Sequence, residues 1–148
     1  MNDRLEALGD EQAVRNTCMR YWAGFDRSDI DVYLSAFTPD ATLSLFGGEQ
    51  VMRPADMAAR GELLSPFEHS SHAPSSQTIF VDGDIATADT FVVAHLVPRD
   101  DGPIAVRGLR YLDDLVRTDD GWRISHRRHF LLWQYDIKRT EPRLAIQP

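Results

Sequence analysis

Three kinds of feature are scarce or absent in this chain of 148 residues, and each absence excludes a class of protein. Cys18 is the only cysteine, which excludes a disulfide framework and a cysteine-based zinc site. No apolar run reaches the length of a membrane span, and the first ten residues, MNDRLEALGD, lack the apolar core of a signal peptide. We therefore expect no membrane association and a cytoplasmic location.

Basic residues are also fewer than acidic ones, 16 against 23, so the formal net charge is −7. Nucleic acids and anionic membranes bind cationic surfaces, so neither is an expected partner. The sequence has no glycine-rich phosphate loop and no thiolate cluster, and we expect no nucleotide, flavin or other cofactor. His69 lies three residues before His72, but a loop histidine pair without a helical HExxH pattern does not predict a metal site.

The composition that remains is that of a single globular domain over residues 1–148, with 43% hydrophobic and 26% charged residues. Asp10 is predicted to cap a first helix, and the apolar face of that helix is Val14, Cys18, Trp22 and Phe25. Ser28 is predicted to begin a second helix, whose inward-facing residues are Ile30, Tyr33, Leu34 and Phe37. Pro54 suits the first position of a third helix that ends near Leu64.

The rest of the chain is predicted to be β structure, with strands at residues 42–46, 50–52, 77–81, 85–97, 104–117 and 122–135. Asp82-Gly83 between two apolar runs indicates a tight hairpin. Long antiparallel strands after a block of helices predict an α+β domain with the helices on one face of a curved sheet. The core is expected over about residues 8–135, with a polar tail at 136–148.

The last predicted strand carries apolar residues on both of its faces. Trp122 and Ile124 share one parity, whereas Leu131, Trp133 and Tyr135 share the other. Either both faces are covered or a β-bulge switches them. A covered outer face on a small chain indicates a subunit interface, so we expect a homo-oligomer, a dimer in preference to a trimer.

Two residues have the chemistry of a proton-abstraction site. Asp26 lies at the junction of the first two helices, and His72 lies just before the strand at 77–81, on a loop at a sheet edge. A neutral imidazole has an ordinary pKa of ~6.5 and acts as a base when a carboxylate fixes its tautomer. Taken singly, Asp26 also fits a helix cap, and His72 fits a loop histidine without chemistry.

The segments FDRSDIDVYLSAFTPDATLSL, SSHAPSSQTIFVDGDIATA and RYLDDLVRTDDGWRISHRR resemble the SnoaL-like branch of the nuclear transport factor 2-like superfamily. The resemblance implies a cone-shaped fold, in which a strongly curved, mixed or antiparallel sheet wraps the N-terminal helices around an internal pocket. Such a pocket implies a small hydrophobic molecule as ligand.

Within that branch, the FDRSD and SSH segments are similar to those of scytalone dehydratase and hexachlorocyclohexane dehydrochlorinase, lyases that use an Asp-His pair without a cofactor. The resemblance places the catalytic aspartate at Asp26, the catalytic histidine at His72 and a pocket arginine at Arg127. Arg127 equally suits an ion pair with Asp113 or Asp114 across the last hairpin. The positions expected to bind substrate are Tyr21, Trp22, Phe25, Leu43, Phe67 and His129. A tyrosine and a lysine of those enzymes are replaced here by Phe25 and Tyr21.

The implied reaction is proton abstraction from a small hydrophobic substrate, leading to elimination, isomerisation or ring closure. Two other function classes stay open on this fold. One is a non-catalytic ligand-binding module or structural subunit, like the β subunits of ring-hydroxylating oxygenases. The other is a polyketide cyclase or steroid isomerase whose carboxylate base lies elsewhere, for which Asp113 and Asp114 are candidates.

Overall fold

The computed structural model describes residues 2–61, 63 and 66–140. Its helices are α1 (Asn2–Arg27), α2 (Ile30–Leu34) and α3 (Pro54–Ala59), and a 3₁₀ turn covers Phe46–Gly48. Its strands are β1 (Phe37–Leu45), β2 (Gln50–Met52), β3 (Phe67–Asp82), β4 (Ile85–Pro98), β5 (Ile104–Thr118) and β6 (Gly121–Ile137). The last eight residues of the predicted tail lie outside the described residues. The predicted end of α3 is wrong, because the helix ends at Ala59, five residues before Leu64.

The six strands form one curved, unclosed sheet in the order β2-β1-β6-β5-β4-β3, and the helices pack against its concave face. Only β1 and β6 run parallel, while the other neighbours are antiparallel, so the sheet is mixed. The α+β prediction is confirmed. Burial of the apolar face of α1 against the sheet provides the core, which includes Val14, Cys18, Trp22, Tyr33, Leu43, Tyr111, Leu115 and Ile124.

The predicted start of α1 is wrong, because the helix begins eight residues before Asp10. Asp10 instead lies within α1, where its carboxylate accepts two hydrogen bonds of 2.8 Å from Arg117 and one of 3.2 Å from Trp122 Nε1. These contacts join the helix to the β5–β6 hairpin. Asp10 thus forms a tertiary ion pair with Arg117 and does not cap the start of the helix.

The junction of α1 and α2 depends on a close approach at Gly24. A Cβ on Gly24 would lie 2.3 Å from the backbone nitrogen of Tyr33, so only glycine permits α2 to pack so tightly. The cap of α2 is Asp29, which accepts from Val32 N–H at 3.0 Å, one residue later than the predicted Ser28. Ile30 is 43% exposed rather than inward-facing, because α2 has only five residues.

The predicted hairpin at Asp82-Gly83 is confirmed, and Gly83 adopts a positive φ of 59° between β3 and β4. However, β3 begins at Phe67, ten residues before the predicted strand. His72 therefore lies within an edge strand and not on a loop. It pairs with Ala94 of β4.

A β-bulge in β3 decides which face of the sheet His72 occupies. Near the hairpin, Gln77 pairs with Thr90, but beyond the register shift Pro74 pairs with Val92, which leaves Ser75 as the extra residue. On the hairpin side of the bulge, the odd-numbered residues Ile79 and Val81 face the core. On the other side, the even-numbered residues Ser70, His72 and Pro74 face it. Without this bulge, His72 would point to the convex face of the sheet.

Register shifts between β5 and β6 show that a bulge, one of the two alternatives offered for the last strand, is present. They leave Leu131, Trp133 and Tyr135 between 41% and 53% exposed in this chain. The ring of Trp133 stacks on that of Tyr135 at 5.8 Å and lies across Gly108, where a Cβ would be 2.0 Å from its Cε2 atom. None of the helices in the described residues is both long and apolar enough to cross a membrane.

Candidate active site

Asp26 and His72 meet where the end of α1 packs against the edge strand β3. Asp26 is the next-to-last residue of α1, and His72 lies on the inner face of β3. The Nδ1 atom of His72 is 2.6 Å from Oδ1 of Asp26, and the backbone N–H of His72 donates to Oδ2 at 2.7 Å. An edge strand leaves such amides unpaired, and here the end of a helix supplies the missing acceptor. One carboxylate thus holds both the ring and the backbone of His72.

Ser70 gives the carboxylate a third hydrogen bond, since its hydroxyl donates to Oδ1 of Asp26. Burial acts to raise the pKa of Asp26, but the hydrogen bonds from the His72 ring, from Ser70 and from the backbone outweigh it and leave the pKa below its ordinary value. Asp26 is therefore ionised at neutral pH. An ionised carboxylate accepts only, so Nδ1 of His72 carries the hydrogen and Nε2 keeps a free lone pair.

The imidazole of His72 forms part of the wall of a pocket of about 170 Å³. The side chain of His72 is only 6% exposed, and the ring of Phe25 packs edge-on against it at 5.3 Å between ring centroids. The other wall residues are mainly apolar or aromatic: Tyr21, Leu45, Phe46, Met57, Phe67, Ala94, Leu96, Leu109 and Tyr111. Arg107 and His129 are the remaining polar groups of the wall.

The two tyrosines of the wall are neutral hydroxyl groups. Burial raises the pKa of Tyr21 to about 12, and the charge of Arg127 opposes that rise. Burial likewise raises the pKa of Tyr111 well above its ordinary value. Both phenols stay protonated across the physiological range, so the wall offers hydroxyl donors but no phenolate base.

Five of the predicted site residues other than the aspartate line this pocket: Tyr21, Phe25, Phe67, His72 and His129. Trp22 and Leu43 are 2% and 0% exposed and lie in the core, outside the pocket wall. Trp22 follows Tyr21 on α1, where successive side chains are rotated by about 100°, so the two rings point in different directions. The Trp22 ring packs edge-on against Tyr111, with 5.3 Å between ring centroids.

Arg127 also lies outside the pocket wall. Its guanidinium forms two hydrogen bonds of 2.7 Å with Asp113, and both side chains are 0% exposed. The same group stacks over the rings of Tyr21, Trp22 and Tyr111 at 4.3, 4.7 and 4.9 Å. The structure thus pairs Arg127 with Asp113, which was the alternative that the sequence analysis offered for this arginine. The pair lies next to two tyrosines of the pocket wall.

Sequence reasoning missed Ser70 and Arg107. Ser70 lies in the SSH segment, but its contact with Asp26 arises only when β3 extends past Gln77. No motif or resemblance in the sequence singled out Arg107. Its position two and four residues before Leu109 and Tyr111 is the available signal, because alternate residues of a strand share a face.

Metal-ligating side chains are dispersed within residues 2–61, 63 and 66–140. No three His, Cys, Asp or Glu side chains come together there as a metal-binding group would. His69 and His72 have opposite surroundings, since the side chain of His69 is 66% exposed and that of His72 is buried.

Residues 6–128 match the sequence profile of the SnoaL-like domain, which is most of the chain. The protein belongs to the SnoaL-like family. This places it in the nuclear transport factor 2-like superfamily, as the FDRSD and SSH segments indicated. Among curated proteins, the uncharacterized protein Rv2910c of Mycobacterium tuberculosis is 29% identical over 123 residues, which cover 81% of this chain and 84% of that protein.

Several solved structures are also similar to it. The protein Kfla4162 of Kribbella flavida is 25% identical, with a TM-score of 0.78 over 87% of this chain and 95% of that one. A scytalone dehydratase-like protein of Novosphingobium aromaticivorans has a TM-score of 0.80 at 18% identity, over 100% and 99% of the two chains. The hexachlorocyclohexane dehydrochlorinase LinA-type3 of Novosphingobium barchaimii has a TM-score of 0.82 at 15% identity, over 94% and 99%. The last two identities establish a shared fold.

Proposed function

We propose that this protein is a cofactor-independent enzyme of the lyase or isomerase type, in which His72 abstracts a proton from a small hydrophobic substrate. The observation that supports it is the attachment of His72 to one carboxylate through both Nδ1 and the backbone N–H, at 2.6 and 2.7 Å. Relatives of the same fold named as a dehydratase and a dehydrochlorinase carry out eliminations, which agrees with this class.

The proposed step begins with transfer of a proton from a substrate carbon to Nε2 of His72. The electron pair of the broken C–H bond either expels a leaving group from the neighbouring carbon or moves along the substrate and is reprotonated elsewhere. The proton on Nε2 then passes to the leaving group or to the new carbon, which restores the neutral imidazole. Asp26 stabilises the imidazolium between these transfers, and positioned acid–base catalysis of this kind contributes about 10²–10⁴-fold.

The size and lining of the pocket limit the substrate. A volume of about 170 Å³ is below the ~300–1,000 Å³ of sites for drug-sized ligands, which favours a compound of about one ring. The aromatic wall supplies apolar contact. The partner in this proposal is therefore a small hydrophobic molecule.

The proposal includes the assembly and location expected from the sequence. The exposed aromatic pair of Trp133 and Tyr135 on the convex face of the sheet supports a homo-oligomer, a dimer in preference to a trimer. The lone, buried Cys18 suits the reducing cytoplasm.

Hydrogen–deuterium exchange tests the proposal without knowledge of the natural substrate. A panel of small ring ketones and halogenated rings with acidic C–H bonds is incubated in D₂O and followed by proton NMR. We expect the protein to accelerate exchange or elimination for at least one compound. His72→Ala and Asp26→Asn should each remove about 10²–10⁴-fold of that rate, and the double variant should lose no more, because the two residues act as one unit.

His95→Ala is the matched control, since His95 is an exposed histidine on the neighbouring strand β4. It should keep the full rate. If no compound of the panel reacts faster than in buffer, or if His72→Ala keeps the full rate, the enzyme proposal is wrong and a ligand-binding or structural role takes its place.

A further inference from the structure

The pocket contains one charged group that the proton-transfer pair does not use. Arg107 of β5 lines the pocket, and its Nε donates to Oε1 of Gln134 on β6 at 2.9 Å. Arg110, Arg117, Arg127 and Arg128 of the same hairpin are each paired with an aspartate. In the part of the chain that the structure describes, Arg107 has no carboxylate at ion-pair distance, and its terminal nitrogens have no hydrogen-bond acceptor.

A guanidinium beside an apolar pocket has lost part of its hydration without gaining a counter-ion. Burial lowers the pKa of Arg107, and the more distant carboxylate of Asp136 only partly opposes the effect. Arginine nevertheless stays protonated in proteins, so the positive charge persists. Arg107 is half-buried. A partly desolvated charge is stabilised by an opposite charge with good hydrogen-bond geometry, and the terminal nitrogens of the guanidinium offer that geometry to an oxyanion.

His129 provides a second donor on the same wall. The backbone N–H of Phe46 donates to Nδ1 of His129 at 3.1 Å, so in the neutral ring the hydrogen is on Nε2. Burial, together with the positive charges of Arg107 and Arg127, lowers the pKa of His129 to about 4. His129 is thus a neutral donor near neutral pH and does not compete with His72 as a proton acceptor.

We infer that Arg107 and the neutral His129 form an oxyanion-binding site in this pocket. Its substrate class is a ring compound whose reacting carbon is next to a carbonyl or carboxylate group. The inference rests on the proposed function for its chemistry, because removal of a proton from such a carbon places negative charge on that oxygen. Donors aimed at developing charge stabilise a transition state more than its ground state. Binding of an anion to Arg107, however, requires no turnover and is measurable by itself.

The test compares benzoate with benzamide, which have the same ring but differ in charge. Titration calorimetry on the full chain should show that benzoate binds more tightly than benzamide. A hydrogen bond to a charged group contributes ~1.5–3 kcal/mol, so Arg107→Gln should weaken benzoate binding by about 10–100-fold and leave benzamide almost unaffected. His129→Gln should weaken benzoate by a smaller factor.

Arg110→Gln is the matched control, because Arg110 is on the same strand but forms an ion pair with Asp89. It should bind benzoate like the original protein. If Arg107→Gln fails to fold, the Nε signal of Arg107 in the unmodified protein is followed by NMR, and benzoate should shift it whereas benzamide should not. Equal affinity for the two compounds, an unmoved Nε signal, or benzoate binding that survives Arg107→Gln would overturn the inference.

The two proposals fail separately. Benzoate selectivity that depends on Arg107 but occurs without any proton exchange would establish the oxyanion site and contradict the enzyme proposal. Proton exchange that depends on His72, without benzoate selectivity, would support the enzyme proposal and contradict the oxyanion site. His72→Ala should abolish exchange while keeping the preference for benzoate over benzamide.

Discussion

Removal of Arg127 should destabilise the protein severely, because the residue is half of a completely buried ion pair. Arg127→Met keeps the length of the side chain but leaves the carboxylate of Asp113 without its two hydrogen bonds of 2.7 Å and at 0% exposure. Breaking a buried pair on one side costs about 3–5 kcal/mol. That is a large part of the ~5–15 kcal/mol by which a typical domain is stable.

The expected fall in melting temperature follows from the size of the chain. For a domain of about 150 residues, 1 kcal/mol corresponds to roughly 2–4 °C, so Arg127→Met should melt about 6–20 °C lower. Asp113→Leu should have a similar effect. The double variant should recover most of the loss, because no uncompensated charge then remains in the core.

Urea unfolding followed by tryptophan fluorescence measures these differences, since Trp22 lies 4.7 Å from the guanidinium. The reasoning is refuted if Arg127→Met unfolds within about 1 kcal/mol of the original protein, or if the double variant loses the sum of the two single effects. The proton-exchange rate of the double variant also tests the catalytic role that the resemblance implied for Arg127. If the variant folds and keeps its proton-exchange rate, Arg127 acts through stability and not on the substrate.

Two predictions concern pH. Burial acts to raise the pKa of Asp26 but hydrogen bonds hold it below its ordinary value, so the stabilisation by Asp26 is complete above the unfolded value of ~3.9 and is lost as acid titrates the folded carboxyl group. Urea unfolding should therefore show the stability difference between the original protein and Asp26→Asn shrinking below about pH 4, and a constant difference would contradict the assignment. Because the pKa of His129 falls from 6.5 to about 4, the unfolded chain takes up this proton first, and His129 costs stability as the pH falls from about 6.5 to 4. Its ring nitrogen shifts in ¹⁵N NMR should stay those of the neutral Nε2–H form down to about pH 5, whereas titration near 6.5 would exclude it as a neutral donor.

Local signals in the sequence were sufficient for most of the fold. Apolar periodicity located α1, the Asp-Gly pair located the β3–β4 hairpin, and the strands β4, β5 and β6 have ends within two residues of the predicted ones. These features depend on neighbours along the chain, which is why the sequence alone reveals them.

The errors arise where contacts distant in sequence decide the structure. The first turns of α1 contain Gly9, which disfavours a helix interior, so the helix seemed to begin at Asp10. The leucines of these turns, Leu5 and Leu8, are 63% and 55% exposed. The segment before Gln77 is rich in serine and contains Pro74, which opposes a strand, yet pairing with β4 and the end of α1 make it one. Arg107 was not predicted as a site residue, because its lack of a counter-ion is visible only in three dimensions.

The bulge at Ser75 makes the position of the base depend on the number of residues in a strand as well as on their identity. Deleting Ser75 would leave Asp26, His72 and every pocket residue in the sequence, yet the register set by the hairpin would turn the imidazole to the opposite side of the sheet. Members of this fold can therefore gain or lose a base through a one-residue insertion or deletion that a comparison of catalytic residues overlooks. When relatives are sorted into enzymes and binders, the spacing between the hairpin turn and the histidine is as informative as the histidine itself.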